Sequence, residues 1–311
     1  MSLKFNETRN RGLFSKEDYL SPLPVPTGEN PTDSMNIIWR KNDVFLDIGN
    51  YTIGAGIMVW WPLVILFLSL AYYFSNILPA LSTSILVGGA IITGIPGLML
   101  LHTLSKPTPL PIRFNRQRRE VCVPREDGKY WIVPWEKVEA AATQQSSISQ
   151  TGRNTQGLLI IGFEKPDCRT DEDNRYYSWS FNCGGGKTAM ALWECMRSYM
   201  EVGSHVVTDN TARFYSTKGI LPTFLDNIIK TAKQKGWLIA LLWDGFFGLV
   251  IFNVLLIDFL ERKKLSPPPD LTHPDIIEWS KPLPPEQWAK RSPELEAAIA
   301  QREAELAARR V

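Results

Sequence analysis

The residues able to do chemistry in this 311-residue chain are few and scattered. Gly184-Gly185-Gly186-Lys187-Thr188 matches the last residues of a phosphate-binding loop. In such a loop, backbone N–H groups at a helix start hold an anion and the lysine offsets its charge. The complete motif needs a glycine five residues before the last one, and that position is Phe181. No strand ending in Asp follows to hold a magnesium ion. Gly185, Gly186 and Lys187 therefore stand as an anion-binding candidate beside the plainer role of capping the helix that follows. His102, His205 and His273 are far apart, and Cys122, Cys168, Cys183 and Cys195 lack the paired spacing of zinc ligands. Neither a GxSxG elbow nor an HExxH helix is present. Asp171-Glu172-Asp173 reads as a solvated loop. The expectation is a non-enzymatic protein with no catalytic residue, cofactor or metal. A net charge of +2 and a pI of about 8.3 give no reason to expect nucleic-acid binding.

A different candidate is Asp244, because of where it lies. Trp237 to Ile257 is otherwise apolar apart from Asn253. On the insertion scale a central Asp costs about 2.5–3.5 kcal/mol, while each Leu, Ile, Phe or Val returns about 0.3–0.6. The sum favours insertion as a third span over residues 236–260, with Asp244 turned towards a small-residue stripe on another helix. It reads as a polar packing anchor, with a proton or ion site as the sharper alternative.

The other spans come from a stretch with no charge. From Asp47 to Lys106 no Asp, Glu, Lys or Arg intervenes. About 20 apolar residues cross a bilayer core as a helix, so there is room for two crossings. Ile53 to Phe74 and Leu81 to Leu104 fit, joined by the turn at Ser75-Asn76-Ile77-Leu78-Pro79. Ala90-x-x-x-Gly94 and Thr93-x-x-x-Gly97 offer close helix approach in the second. Arg40 and Lys41 precede this hairpin, and Lys106, Arg113, Arg116, Arg118 and Arg119 follow it. Positive charges stay inside, so both flanks belong in the cytoplasm and the short turn outside. The four arginines serve topology and are also candidates for contact with anionic headgroups or a partner. For the third segment charge does not choose a side. A single crossing would put the tail outside, and a re-entrant path would keep it inside.

Between the membrane segments the periodicity changes. Ile112 to Asn115, Glu120 to Pro124, Lys129 to Pro134, Gly157 to Glu164 and Arg175 to Cys183 read as strands, with Asp127-Gly128 as a hairpin turn. Ala189, Trp193, Met196 and Met200 then recur at helical spacing, predicting an amphipathic helix from Lys187 to Glu201. The fold class expected is an α+β membrane protein, with antiparallel strands closed by one helix.

That order, after a membrane hairpin and with RFNRQRREVCVP and GKYWIVPWEKVEA in place, resembles bacterial membrane-anchored pleckstrin-homology-like (PH-like) proteins. The resemblance runs from Ile53 to Gly203 and is carried by Arg116, Arg118, Arg119, Trp135 and Glu136. The whole chain also resembles an uncharacterised proteobacterial membrane family encoded beside type VI secretion effector genes. That resemblance implies an immunity or accessory role towards a secreted effector. An anionic-lipid-sensing or envelope-stress module is the alternative, and transport or enzymatic use of Asp244 or Lys187 a third.

The organisation expected is a polar segment (1–47), the transmembrane hairpin (48–105), a PH-like cytosolic domain (106–205), a connector (206–235), the third span (236–260) and a tail (261–311). The connector carries an amphipathic helix from Pro222 to Gln234, after a strand at Phe214 and Tyr215. The tail reads as extended and Pro-rich, then as a helix capped by Ser292-Pro293-Glu294. Self-association through that helix or the spans is the remaining partner expectation beside the lipid bilayer.

Overall fold

The computed structural model describes residues 8–12, 15–19, 23–49, 51, 53–149, 152–167, 175–184 and 187–308. The chain forms two compact units, 1–50 with 110–211 and 270–311, and 51–109 with 212–269. It is a mixed α+β protein with two antiparallel five-stranded sheets and two long apolar helices.

In the first unit the longer strands bury alternate side chains, whereas three of the short ones bury three residues in a row. One sheet contains β1 (Thr8–Gly12), β2 (Ser15–Tyr19), β8 (Glu139–Ser149), β9 (Gly152–Glu164) and β10 (Tyr176–Gly184), in that spatial order. The other runs β3 (Ile38–Lys41), β4 (Phe45–Ile48), β5 (Ile112–Asn115), β6 (Glu120–Pro124) and β7 (Tyr130–Pro134). Leu159, Ile161 and Phe163 on β9 and Leu46, Phe114, Val121 and Val133 on the second sheet share one core. Helix α3 (Thr188–Glu201) adds Trp193, Met196, Tyr199 and Met200 to it. Each such buried side chain contributes roughly 1.5–3 kcal/mol. β4 pairs with β5, Ile48 opposite Ile112, so the sheet ties together the two chain ends between which the apolar hairpin is inserted.

Three expectations change here. The segment expected to be only polar, 1–47, supplies β1 to β4. Its strands are short and carry charges, so no apolar alternation marks them. The tail expected to be extended is packed. Leu271, Ile276 and Trp279, around helix α7 (Pro274–Trp279), cluster with Cys122 and Tyr130. Leu295 and Ile299 of helix α8 (Pro293–Ala308) cluster with Leu23 and Val25. Ser292 caps α8 as expected, its Oγ accepting the Leu295 N–H at 3.1 Å. Phe214 and Tyr215 lie in a 3-10 turn rather than a strand, with Phe214 buried.

The second unit is helical. α1 (Ile53–Phe74) and α2 (Pro79–Ser105) are the two helices long and apolar enough to cross a membrane. Ile91, Ile92, Ile95, Leu98 and Met99 on α2 are exposed, the surface expected to meet lipid rather than water. The two helices approach at Gly89, where an added Cβ would lie 2.8 Å from Phe67, and at Gly97, where it would lie 3.2 Å from Trp60. Trp60 Nε1 donates to the Thr93 carbonyl at 2.8 Å and Ser82 Oγ to that of Ala71 at 2.7 Å. The packing stripe is therefore Gly89, Thr93 and Gly97. The expected Ala90–Gly94 pair is not part of it, since a Cβ on Gly94 meets nothing within 4 Å.

After helix α4 (Ile220–Lys235), the expected single helix over 236–260 is two helices bent by 67°, α5 (Trp237–Ile251) and α6 (Val254–Leu265). From Ala240 onwards α5 is wound as a π-helix. The break has a local cause. Asn253 takes the left-handed conformation at φ 50°, and its side chain accepts the Leu256 N–H at 3.3 Å, capping α6. Asn tolerates this backbone better than the apolar residues around it.

Candidate functional site

The basic turn between β5 and β6 gathers most of the polar geometry of the first unit. Asn115 makes the turn, its Oδ1 accepting the N–H groups of Gln117 and Arg118, both at 3.1 Å. Arg119 closes it at a positive φ of 53°, where its carbonyl accepts the Trp135 N–H at 2.8 Å.

The four arginines then diverge, and each holds a distant part of the same unit. Arg113 is 3% exposed. It donates to both oxygens of the fully buried Asp47 at 2.6 and 2.7 Å, and to Asp270 at 2.7 Å and Ser280 at 2.9 Å. Arg116 donates to the Val202 carbonyl at 3.1 Å and lies over the Trp288 ring at 5.5 Å. Arg118 Nε donates to the Trp279 carbonyl at 2.9 Å. Arg119 forks onto Glu201 at 2.8 and 3.1 Å and reaches Glu136 at 3.1 Å. Glu201 also accepts Trp135 Nε1 at 2.8 Å and Arg291 Nε at 2.6 Å. Burial pushes the Glu201 carboxyl up, but the bonds and charge of Arg119, the Trp135 bond and the Arg291 charge outweigh it and hold it below the ordinary range.

Of the four arginines read as serving topology and as candidates for headgroup or partner contact, Arg113 and Arg119 are not open to such contact. Both are buried in carboxylate pairs that join the N-terminal strands, the central strands, α3 and the tail. Charges that follow the apolar hairpin in sequence are here bonds of the fold. Sequence reasoning missed their partners. Asp47 and Arg113 are 66 residues apart, and Glu201 and Arg291 are 90 apart, so no local spacing reports either pair. The one available signal was an acid inside the apolar run Phe45-Leu46-Asp47-Ile48.

The other candidates disperse. Gly185 and Gly186 lie outside the described residues, as do Cys168 and Asp171-Glu172-Asp173. Lys187 is exposed and paired to Glu29 at 2.6 Å, which raises its pKa. Burial pushes the thiols of Cys122 and Cys195 up to about 12 and that of Cys183 up to about 11, so they are protonated at neutral pH. Among the described residues no group of three His, Cys, Asp or Glu side chains is placed to hold a metal ion. Asp244 is turned not towards the small residues of α2 but into a cavity of about 470 Å³ lined from α1, α4, α5 and α6.

Compared with protein families, curated proteins and solved structures, the chain matches none.

Proposed function

We propose that this is a non-enzymatic, multi-pass protein of the bacterial inner membrane whose cytosolic, PH-like domain binds a protein partner. The observation that carries the reading is the use of the basic turn. Arg113 and Arg119 are consumed in buried ion pairs, which takes from the lipid-sensing alternative the charges it relies on. What the unit offers instead is sheet. β7 and β10 each end a sheet, and Trp131 on one meets Tyr177 on the other at 5.0 Å. An extended segment of a partner adding to such an edge is a common recognition mode. The PH-like reading is supported by the run of antiparallel strands β5 to β10 followed by α3.

Parity supports this topology. Residues 110–211 and 270–311 belong to one folded unit, so both lie on one side of the membrane. The chain between them crosses an even number of times. The apolar segment bent at Phe252–Asn253 is then re-entrant or interfacial, and the tail is cytosolic with the domain.

The specific form proposed is protection against, or assembly with, a type VI secreted effector. Co-expressing the intact chain with an effector encoded beside it tests this. Neutralisation of toxicity and co-purification are expected, and neither occurring would remove that form. Lys187→Ala is expected to leave both unchanged.

A further inference from the structure

The cavity around Asp244 has the construction of a ligand site within the helical unit. Its volume of about 470 Å³ falls in the range of small-molecule pockets. Met58, Phe224, Trp243, Phe252 and Leu255 supply apolar and aromatic walls. Asp244 Oδ2 is buried and has no hydrogen-bond partner among the described residues. A carboxylate oxygen left so is an acceptor awaiting a donor.

A second cavity of about 370 Å³ shares Thr223, Asn227 and Asp258 with the first. It is polar, and its charges are already matched. Arg213 pairs with Glu261 at 2.6 Å, and Arg262 with Asp258 at 3.0 Å. Asp244 is the acid left over. The Asp244 end of the site therefore suits a positive group, while the paired arginines mark its polar mouth. The aromatic walls also favour a cation. The surroundings are those of a lipid phase, since α4 exposes Leu225 and Ile229 and α5 exposes Leu241 and Leu242. A molecule entering from there carries an apolar chain.

We propose that this cavity binds an amine-headed phospholipid, its primary ammonium donating to Asp244 and its acyl chain lying along Met58, Trp243, Phe252 and Leu255. The paired Arg213 and Arg262 stand at the polar mouth, where a phosphate can share their remaining N–H donors.

The test uses the intact chain in detergent with three probes: dioleoylphosphatidylethanolamine, dioleoylphosphatidylglycerol and water-soluble phosphoethanolamine. Bound adducts are counted by native mass spectrometry. Retention of the ethanolamine lipid at least ten-fold above the glycerol lipid is expected, with phosphoethanolamine not retained. Asp244→Asn should bring the ethanolamine lipid down to the glycerol level. Gly248→Leu, which fills the cavity, should abolish retention while the melting temperature holds. Equal retention of the two lipids, retention of phosphoethanolamine as strong as that of the lipid, or indifference to both substitutions would overturn the proposal. If either variant fails to fold, the ratio of the two lipids on the unaltered chain still decides.

Discussion

Glu201 illustrates how much of this fold rests on single side chains. Four donors, from Arg119, Trp135 and Arg291, converge on one fully buried carboxylate. Removing Arg119 as Arg119→Ala leaves part of that charge without its partner, and a loss of about 3 kcal/mol is expected from the general cost of breaking a buried pair. Thermal unfolding followed by tryptophan fluorescence measures it. The pH dependence follows from the direction of the shift. The folded Glu201 carboxyl sits below its unfolded value, so its stabilisation is present above about pH 4.3 and is lost as pH falls through the folded value. Glu201→Gln should therefore lower the melting temperature at pH 7 and flatten its decline below that point. An unchanged acid limb would count against the role given to Glu201. Arg119 also holds a left-handed backbone at φ 53°, which glycine would adopt with less strain. Its ion pairs offset that strain.

At the scale of elements, legibility tracked periodicity. β5, β6, β7, β10 and α3 were readable to within a residue or two because their apolar side chains recur at two or at three and four. β3 and β4 were not, because four-residue strands carrying Arg40, Lys41 and Asp47 show no pattern until β5 is laid beside them. The tail was misread for a related reason. Its few large apolar residues, Leu271, Ile276 and Trp279, are spread among prolines, and each is buried by residues far away in sequence. Trp279→Ala should cost about 3–5 kcal/mol, because it removes the ring and the Nε1 bond to Glu120 at 2.7 Å. In the apolar hairpin, two glycines five positions apart should behave oppositely. Gly89→Leu drives into Phe67, whereas Gly94→Leu meets open space. Thermal aggregation in detergent should fall sharply in onset temperature for the first and hardly move for the second. A reversal would show that α1 and α2 pack through another face.

For the whole molecule, the decisive inference is that both chain ends belong to the unit in the middle. A fluorescent reporter active only in the cytoplasm, fused to Val311, should give the same signal as one placed in the loop at Glu126. A dark fusion at Val311 would mean a single crossing by the third apolar segment, and with it the loss of the parity argument. This arrangement was out of reach from sequence, where charge flanked the third segment on both sides. It became visible only when Asp270, Trp279 and Arg291 were found against Arg113, Arg118 and Glu201. The same arrangement sets a schedule for biosynthesis. Residues 270–308 leave the ribosome after every apolar segment has done so. Until they arrive, Arg113 lacks Asp270, Arg118 lacks the Trp279 carbonyl and Cys122 lacks its cover. The first unit is therefore completed only after every apolar segment has left the ribosome, and a nascent or truncated chain presents finished sheets without their cover, Cys122 and Tyr130 open to the cell's proteases.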